Sequence, residues 1–149
     1  FSMLCPDKGR KTFEKWLNKR EISKKVSVKD TLSKEDLAHF LSTQDIGLAP
    51  LTPCERNLIQ GCMPIKILDY MSAGLSIVTS DIPVTRYILD KGAYFYRPYS
   101  TDSFCQAIEQ AIADTHHPYR LQNHNRIRQH FSKEKQKERL LSAYDQINC

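Results

Sequence analysis

Between Gly61 and Asp81 a turn, a helix and a strand follow one another directly, and this stretch constrains the fold more than any other part of the 149-residue chain. It reads GCMPIKILDYMSAGLSIVTSD. Pro64 suits the first turn of a helix, where its missing amide hydrogen is not needed and its fixed φ is already helical. Gly74 is placed where a glycine commonly ends a helix. Residues 75–80 form a short segment rich in apolar and β-branched side chains. The stretch predicts a loop, a helix and a buried strand in that order.

The predicted helix is apolar on nearly all sides, so we expect it to lie inside a core. Its apolar residues are Ile65, Ile67, Leu68, Tyr70, Met71 and Ala73, and its only charges are Lys66 and Asp69. Buried charges need partners, and residues three apart share a helix face. Lys66 and Asp69 are therefore either an ion pair with each other or two groups that bind a ligand. A cation and helix-start amides suit a diphosphate, and a carboxylate suits two ribose hydroxyls.

Strand-like and helical segments alternate along the rest of the chain. Strands are predicted at 1–5, 25–31, 45–50, 75–80 and 93–96, and helices at 11–21, 33–41, 84–89, 102–113, 119–130 and 133–147. Inward positions of the 102–113 helix are Phe104, Ala107, Ile108, Ala111 and Ile112. This alternation predicts an α/β fold with a doubly wound, Rossmann-like parallel sheet. Residues 51–63 form a polar loop after a strand, and such loops bind ligands in these sheets.

Length and composition favour one compact domain, residues 1–149, in a reducing compartment. The chain has no apolar run of about 18 residues and no leader of the secretory kind. Its five cysteines are odd in number, widely spread and free of a C-x-x-C pair, which argues against disulfides or a zinc knuckle. Its five histidines have no recognised metal spacing, so no metal is expected. We therefore expect a cytoplasmic protein.

The net charge of +5 is concentrated near the end of the chain. Residues 119–139 contain seven Lys or Arg and two Glu, which accounts for the whole excess. Two interpretations stay open, a solvated helix face and a surface for a partner or for the inner face of an anionic membrane. The segment lacks interleaved aromatic residues and matches no nucleic-acid module, so nucleic acid is not expected.

The run CERNLIQGCMPIKILDYMSAGLSIVTSDIPVTRYIL, Cys54 to Leu89, resembles the donor-binding region of family 4 glycosyltransferases, which are retaining enzymes of the two-domain GT-B fold. The order of the remaining elements is similar too. The matching letters of the family motif are Pro64, Lys66, Asp69, Tyr70, Met71, Ala73, Gly74, Ser76 and Val78. The resemblance implies the C-terminal, nucleotide-sugar-binding half of such an enzyme. The chain is interpreted as a fragment without its first strand and helix or the N-terminal acceptor domain, and inactive alone.

The resemblance also implies what the site binds. The donor would be a UDP- or GDP-sugar and the acceptor a saccharide or a lipid-linked molecule, with no cofactor or metal, because the donor diphosphate itself assists the incoming hydroxyl. Donor contacts are expected from Gly61, Cys62, Met63, Pro64, Ile65, Lys66 and Asp69, and from Thr31, Leu32, Arg56 and Asn57. Gly61 would let the backbone approach the ligand. Thr31 and Leu32 follow a strand and would line the base pocket.

The family pattern is broken at two carboxylate positions. Asp69 stands where the family usually has glutamate, and Gly61 stands where its other motif glutamate would fall. Glu55 lies in the same loop and is the candidate for contacting the sugar hydroxyls instead. The alternative interpretation is that the chain is a degenerate, non-catalytic nucleotide-binding or recruitment module. An unrelated dinucleotide protein is disfavoured, because the chain has no G-x-G-x-x-G.

Overall fold

The structure, a computed structural model, describes residues 1–58, 63–114 and 118–147. The chain divides into two compact units, Phe1–Phe40 and Leu41–Cys149.

The first unit contains two short parallel strands. Strand β1 is Ser2–Leu4, helix α1 is Asp7–Lys19, and strand β2 is Ser27–Lys29. Met3 lies opposite Val28 in the ladder between the two strands. Helix α2, Lys34–Ser42, begins in this unit. Its cap is the one that the sequence predicts, because the Ser33 hydroxyl accepts a hydrogen bond from the Asp36 amide at 3.1 Å.

The second unit is built on three parallel strands in the order β3, β4, β5. Its strands are β3 Ile46–Ala49, β4 Ser76–Ser80 and β5 Tyr94–Tyr96. Its helices are α3 Glu55–Leu58, α4 Ile65–Ser72, α5 Pro83–Leu89, α6 Thr101–Ala113, α7 Tyr119–Arg126 with a π-helical continuation over Ile127–Phe131, and α8 Lys133–Ile147. The predicted mixed α/β fold with parallel strands is confirmed.

Helices cover both faces of this three-stranded sheet. Successive side chains of a strand point to opposite faces, so Ile77 and Val78 of β4 enter different cores. One core joins Ile77 to side chains of α4 and α5, namely Ile67, Met71, Ile88 and Leu89. The other joins Val78 to Tyr96 and to Ala107 and Ala111 of α6. The doubly wound arrangement is therefore confirmed in this unit.

Helix α4 ends as its sequence predicts. Gly74 has φ +70°, and its amide donates to the Met71 carbonyl at 3.3 Å. The Leu75 amide donates to the Tyr70 carbonyl at 3.0 Å, which completes a Schellman motif. At the other end, Pro64 has extended backbone angles and precedes the first turn instead of lying in it.

The sequence overestimates how deeply two helices are buried. In α4 only Ile67 and Met71 are buried, and Ile65 is 70% exposed. In α6 the predicted inward residue Ile112 is 65% exposed. Both helices pack on the sheet by one face only, so apolar residues on the far side stay in water. The region predicted as a continuous loop, 51–63, also contains the short helix α3.

Helix α7 is joined to the end of α5 and to the turn after it by hydrogen bonds from Asn123 and Arg126. The Asn123 amide nitrogen donates to the Gly92 carbonyl at 2.7 Å, and Asn123 is fully buried. Arg126 donates to the carbonyls of Ile88 and Tyr87 at 2.6 and 2.8 Å, at the end of α5. Helix α8, in contrast, has no buried residue. Among the described helices, none is long and apolar enough to cross a membrane.

Candidate functional site

The candidate site lies at the carboxyl edge of the three-stranded sheet. The strands are parallel, so Ala49, Ser80 and Tyr96 all end at this edge. The chain that leaves β3 there leads through α3 to the start of α4. Ligands of doubly wound sheets bind at this edge, because helix N-termini and strand-end loops meet there.

A close contact between β3 and α4 positions the start of α4. The Tyr70 ring lies so close to Gly47 that a Cβ at this position would be 2.6 Å from the ring Cγ. The Tyr70 hydroxyl donates to the Leu48 carbonyl at 3.3 Å. Ile67 and Met71 are fully buried on the same side of the helix. These contacts fix the helix so that Lys66 and Asp69 lie away from its buried face, as the helical period requires.

Lys66 and Asp69 do not neutralise each other. Among the ion pairs of the described residues, none joins Lys66 or Asp69 to any partner. Lys66 is exposed, whereas Asp69 is half-buried. Burial raises the pKa of the Asp69 carboxyl, because it removes water that would stabilise the charge. The ion-pair alternative is therefore not observed, and the face presents a cation and a partly desolvated hydrogen-bond acceptor.

The loop after β3 is held by side chains that the sequence analysis did not single out. The Ser80 hydroxyl accepts from the Leu51 amide at 3.1 Å and donates to the Leu51 carbonyl at 2.7 Å. The Thr79 hydroxyl donates to the Ala49 carbonyl at 2.9 Å. Both side chains are fully buried. In the sequence, the signal for this role is the pair of small hydroxyl residues at the end of an otherwise apolar strand.

The predicted loop contacts have different roles. Asn57 donates to the Thr52 carbonyl at 2.7 Å, so its amide holds the loop in shape. Glu55 and Arg56 are exposed on α3, and Met63 is 38% exposed just before α4. Gly61 and Cys62 lie outside the described residues. Met63 and Pro64 therefore lie just before α4, and Ile65, Lys66 and Asp69 lie within it.

Thr31 and Leu32 belong to the first unit, just after the carboxyl end of β2. The Thr31 amide donates to the Asp30 carboxylate at 2.7 Å, and the Thr31 side chain is exposed. Their role in a base pocket stays a prediction.

Within residues 1–58, 63–114 and 118–147, no group of three or more His, Cys, Asp or Glu side chains could hold a metal ion.

A parallel sheet with helices on both faces and polar groups gathered at its carboxyl edge defines the class of doubly wound α/β proteins. Within that class, the chain belongs to the family of glycosyl transferases group 1, whose model matches residues 7–130. The match confirms the coarser prediction, a glycosyltransferase, whereas family 4 and the retaining mechanism stay predictions. No curated protein sequence matches the chain.

Solved glycosyltransferase structures share the fold. The chain is similar to a glycosyltransferase from Rickettsia africae ESF-5, with a TM-score of 0.80 and 11% identity over 98% of this chain and 39% of the other. It is also similar to sucrose-phosphate synthase from Thermosynechococcus elongatus, with a TM-score of 0.77 and 13% identity over 98% of this chain and 38% of the other. A third similar structure is WaaG, a glycosyltransferase involved in lipopolysaccharide biosynthesis. Its TM-score is 0.60, and it is 21% identical over 86% of this chain and 32% of its own. The chain thus spans well under half the length of these proteins.

Proposed function

We propose that the chain is the nucleotide-sugar-binding part of a retaining, GT-B-type glycosyltransferase. It would bind a UDP- or GDP-sugar, and the enzyme would transfer the sugar to a saccharide or a lipid-linked acceptor in the cytoplasm. The family match supports glycosyl transfer. The structural likeness to sucrose-phosphate synthase and to WaaG supports the fold that this proposal requires.

The observation that carries this proposal is the outward face of Lys66 and Asp69 at the start of α4. Asp69 is partly desolvated without a cationic partner among the described residues. A carboxylate in this state gains most from hydroxyl donors, and the paired hydroxyls of a ribose supply two. Lys66 lies one turn closer to the helix start, where it and the first amides attract a diphosphate.

In the proposed reaction, the bond between the anomeric carbon of the donor sugar and the diphosphate oxygen breaks, and the acceptor oxygen bonds to that carbon on the same face. The departing diphosphate takes up the acceptor's hydroxyl proton. Lys66 stabilises the negative charge that grows on the diphosphate, which lowers the barrier to bond cleavage. Asp69 fixes the ribose, so that the diphosphate is held next to Lys66. Glu55 is the candidate for orienting the sugar hydroxyls.

Calorimetric titration of the chain with UDP, GDP and the matching nucleosides tests this proposal. Lys66→Ala should weaken diphosphate binding about 10- to 100-fold, the effect of losing one charge-assisted hydrogen bond, and should leave nucleoside binding nearly unchanged. Asp69→Asn should weaken nucleoside and diphosphate binding alike, because both carry the ribose.

Matched controls are Lys91→Ala and Asp145→Asn, which alter exposed residues elsewhere in the second unit. Both should bind as the unaltered chain does. Equal affinities in the Lys66 and Asp69 variants and in their controls would reject the site.

A second candidate function is recruitment to an anionic membrane surface through helix α8. The observation that favours it is an apolar stripe without cover among the described residues: Leu140, Leu141, Tyr144 and Ile147 are each more than half exposed. The basic residues Lys133 and Lys137 precede this stripe on the same side of the helix. An interfacial helix combines these two features, an apolar face and nearby positive charge. This role would place the protein at the inner face of the membrane.

A further inference from the structure

Helix α1 of the first unit carries a row of lysines along one face. The members of this lysine row are exposed and follow one another three or four residues apart, namely Lys8, Lys11, Lys15 and Lys19. This spacing places all of them on the same side of the helix. Among the ion pairs of the described residues, none includes a lysine of the row, whereas Arg10 of the same helix pairs with Glu14 at 3.0 Å. The row is a strip of positive charge without a counter-charge from the described residues.

The charge of this part of the chain does not show in the overall net charge. Residues 7–25 contain eight Lys or Arg and three Asp or Glu, and acidic residues elsewhere in the chain cancel this excess. Like charges three and four residues apart on a helix repel each other, so the row destabilises α1 while water alone covers it. An anionic partner would remove this repulsion.

An exposed aromatic side chain lies beside the lysine row. Trp16 is the only tryptophan in the sequence and is 44% exposed. Its ring is stacked with Phe13 at a centroid distance of 5.9 Å, and the guanidinium carbon of Arg20 lies 4.1 Å from the centroid of the Trp16 ring. Tryptophan and arginine are the residues that most often dominate the binding energy of protein interfaces, and surrounding charges steer the partner into place. This face of α1 therefore has the composition of a protein-binding surface.

The packing of α1 disfavours the two other kinds of anionic partner. An interfacial membrane helix needs a free apolar face, but Leu17 is only 3% exposed and the Trp16 ring already packs on Phe13. Single-stranded nucleic acid binds to open aromatic rings on which its bases can stack, whereas Phe13 and Arg20 already lie against the Trp16 ring.

The spacing of the lysine row indicates the shape of its partner. At a rise of about 1.5 Å per residue, neighbouring lysines of the row are about 4.5–6 Å apart along the helix axis, and the whole row is about 16 Å long. Carboxylates three and four residues apart on another helix have the same spacing. Side chains on one face of an extended segment recur about every 6.6 Å and would fall out of register along the row. An acidic helix matches the row over its full length.

We propose that this face of α1 binds an acidic α-helix of a partner protein, with carboxylates opposite the lysine row and an apolar side chain against Trp16. The surface lies within the first unit and shares no residue with the proposed donor site. The inference goes beyond sugar transfer and does not depend on it.

The test uses a stapled, alanine-based helical peptide whose glutamates repeat the spacing of the lysine row, with one leucine beside them. Because the chain has a single tryptophan, the emission of Trp16 reports directly on this face, and it should shift to shorter wavelength in a saturable titration. A peptide of the same composition with glutamates on all sides should bind at least tenfold more weakly. High salt should weaken binding of the matched peptide, because it screens exposed charges.

Variants of the chain test the two parts of the surface separately. Replacing every lysine of the row by glutamine should weaken binding of the matched peptide at least tenfold. Trp16→Ala, measured by calorimetry, should weaken it about tenfold, because the apolar contact is lost. The matched control removes the same number of exposed lysines elsewhere in the first unit and should bind normally: Lys24→Gln, Lys25→Gln, Lys29→Gln, Lys34→Gln. UDP and GDP affinities should be the same in all of these variants, so a failure of the proposed donor site is distinguishable from a failure of this inference.

Three results would overturn the inference. The first is the absence of a saturable emission shift, or equal binding of the two peptides. The second is equal binding of the matched peptide by the row variant and by its control. The third is binding of phosphatidylglycerol vesicles or of a single-stranded oligonucleotide that the row variant alone loses, without any peptide binding. That result would assign the lysine row to a membrane or to nucleic acid instead.

Discussion

At the scale of single residues, Asp69, the proposed ribose-binding group, lowers the stability of the fold that holds it. Its carboxyl is half-buried in the middle of α4, and its pKa is raised above the ordinary value of 3.8. A raised carboxyl pKa means that the folded chain holds the proton more tightly than the unfolded chain does. Stability therefore falls as the pH rises from about 3.8 through the folded-state pKa, and the penalty is fully present at neutral pH.

Asp69→Asn should therefore stabilise the chain at pH 7 while it weakens nucleotide binding. The gain should be small, about 0.5 kcal/mol or less, because the carboxyl remains partly in water. It should disappear near pH 3, where the unaltered side chain is protonated in both the folded and the unfolded state. Thermal unfolding at pH 7 and pH 3, at constant ionic strength, measures the difference. A variant that is less stable than the unaltered chain at pH 7 would show that the carboxylate has a structural role.

At the scale of elements, the contact of β3 with α4 links the fold to the site. Gly47→Ala would place a methyl group against the Tyr70 ring, 2.6 Å from Cγ and 2.9 Å from Cε2. The helix must then move away from the strand, so we expect a loss of about 1–3 kcal/mol and weaker nucleotide binding. Urea unfolding together with UDP titration measures both effects.

The matched control is Gly9→Ala, another glycine-to-alanine change in a different environment. Gly9 lies within α1, and a Cβ there would meet only the Cys5 Sγ, at 3.7 Å. Alanine should stabilise that helix by about 0.5–1 kcal/mol, so the two variants should differ in sign. Destabilisation by both would contradict the proposed role of the Gly47 contact.

Elements were predictable where local signals act within a few residues. The cap at Ser33 and the C′ glycine Gly74 were found correctly, because each depends on the chemistry of one turn. The outward positions of Ile65 and Ile112 were not predictable, because the width of the buried face depends on what packs against the helix. The position of Arg126, which lies in the basic segment but caps α5, depends on long-range packing in the same way.

At the scale of the whole molecule, strand pairing was only partly accessible from the sequence. Alternating segments indicate a parallel sheet, but they do not show which strands pair. In the structure β1 pairs with β2, and β3, β4 and β5 form a separate ladder. The candidate site was predictable as the Lys66–Asp69 helix because it is contiguous in sequence. The hydrogen bond from Tyr99 to the Pro53 carbonyl was not predictable, because it joins two loops more than 40 residues apart.

The structure also shows which basic residues of the C-terminal segment have partners within the fold and which do not. Arg126 binds carbonyls of α5, Arg120 lies 3.7 Å from the Asp45 carboxylate, and Lys135 pairs with Glu138 at 2.6 Å. Basic residues with these internal roles are poor candidates for a surface that meets a partner. The exposed residues Arg128, Lys133 and Lys137 are better candidates, because no ion pair among the described residues includes them.

If α8 binds a membrane, reversing these three charges should abolish binding to vesicles that contain phosphatidylglycerol. Each basic residue near an anionic surface contributes about 1 kcal/mol, so the triple variant Arg128→Glu, Lys133→Glu, Lys137→Glu should bind more than 100-fold more weakly. Vesicle flotation at low and high salt measures this, since screening should weaken binding by the unaltered chain. The control Lys8→Glu, Lys11→Glu, Lys15→Glu makes the same change in net charge on α1 and should retain binding.

The apolar stripe of α8 provides an independent arm of the same experiment. Leu140→Ser with Leu141→Ser removes apolar area and leaves the charge unchanged, so flotation should fall without any change in its salt dependence. Intact flotation of both the triple charge variant and the double serine variant would reject membrane recruitment. An equal loss of flotation in the α1 control would reject it too. UDP or GDP binding should survive every one of these substitutions, because none of them alters the start of α4. Recruitment and donor binding would then be separate functions of the second unit.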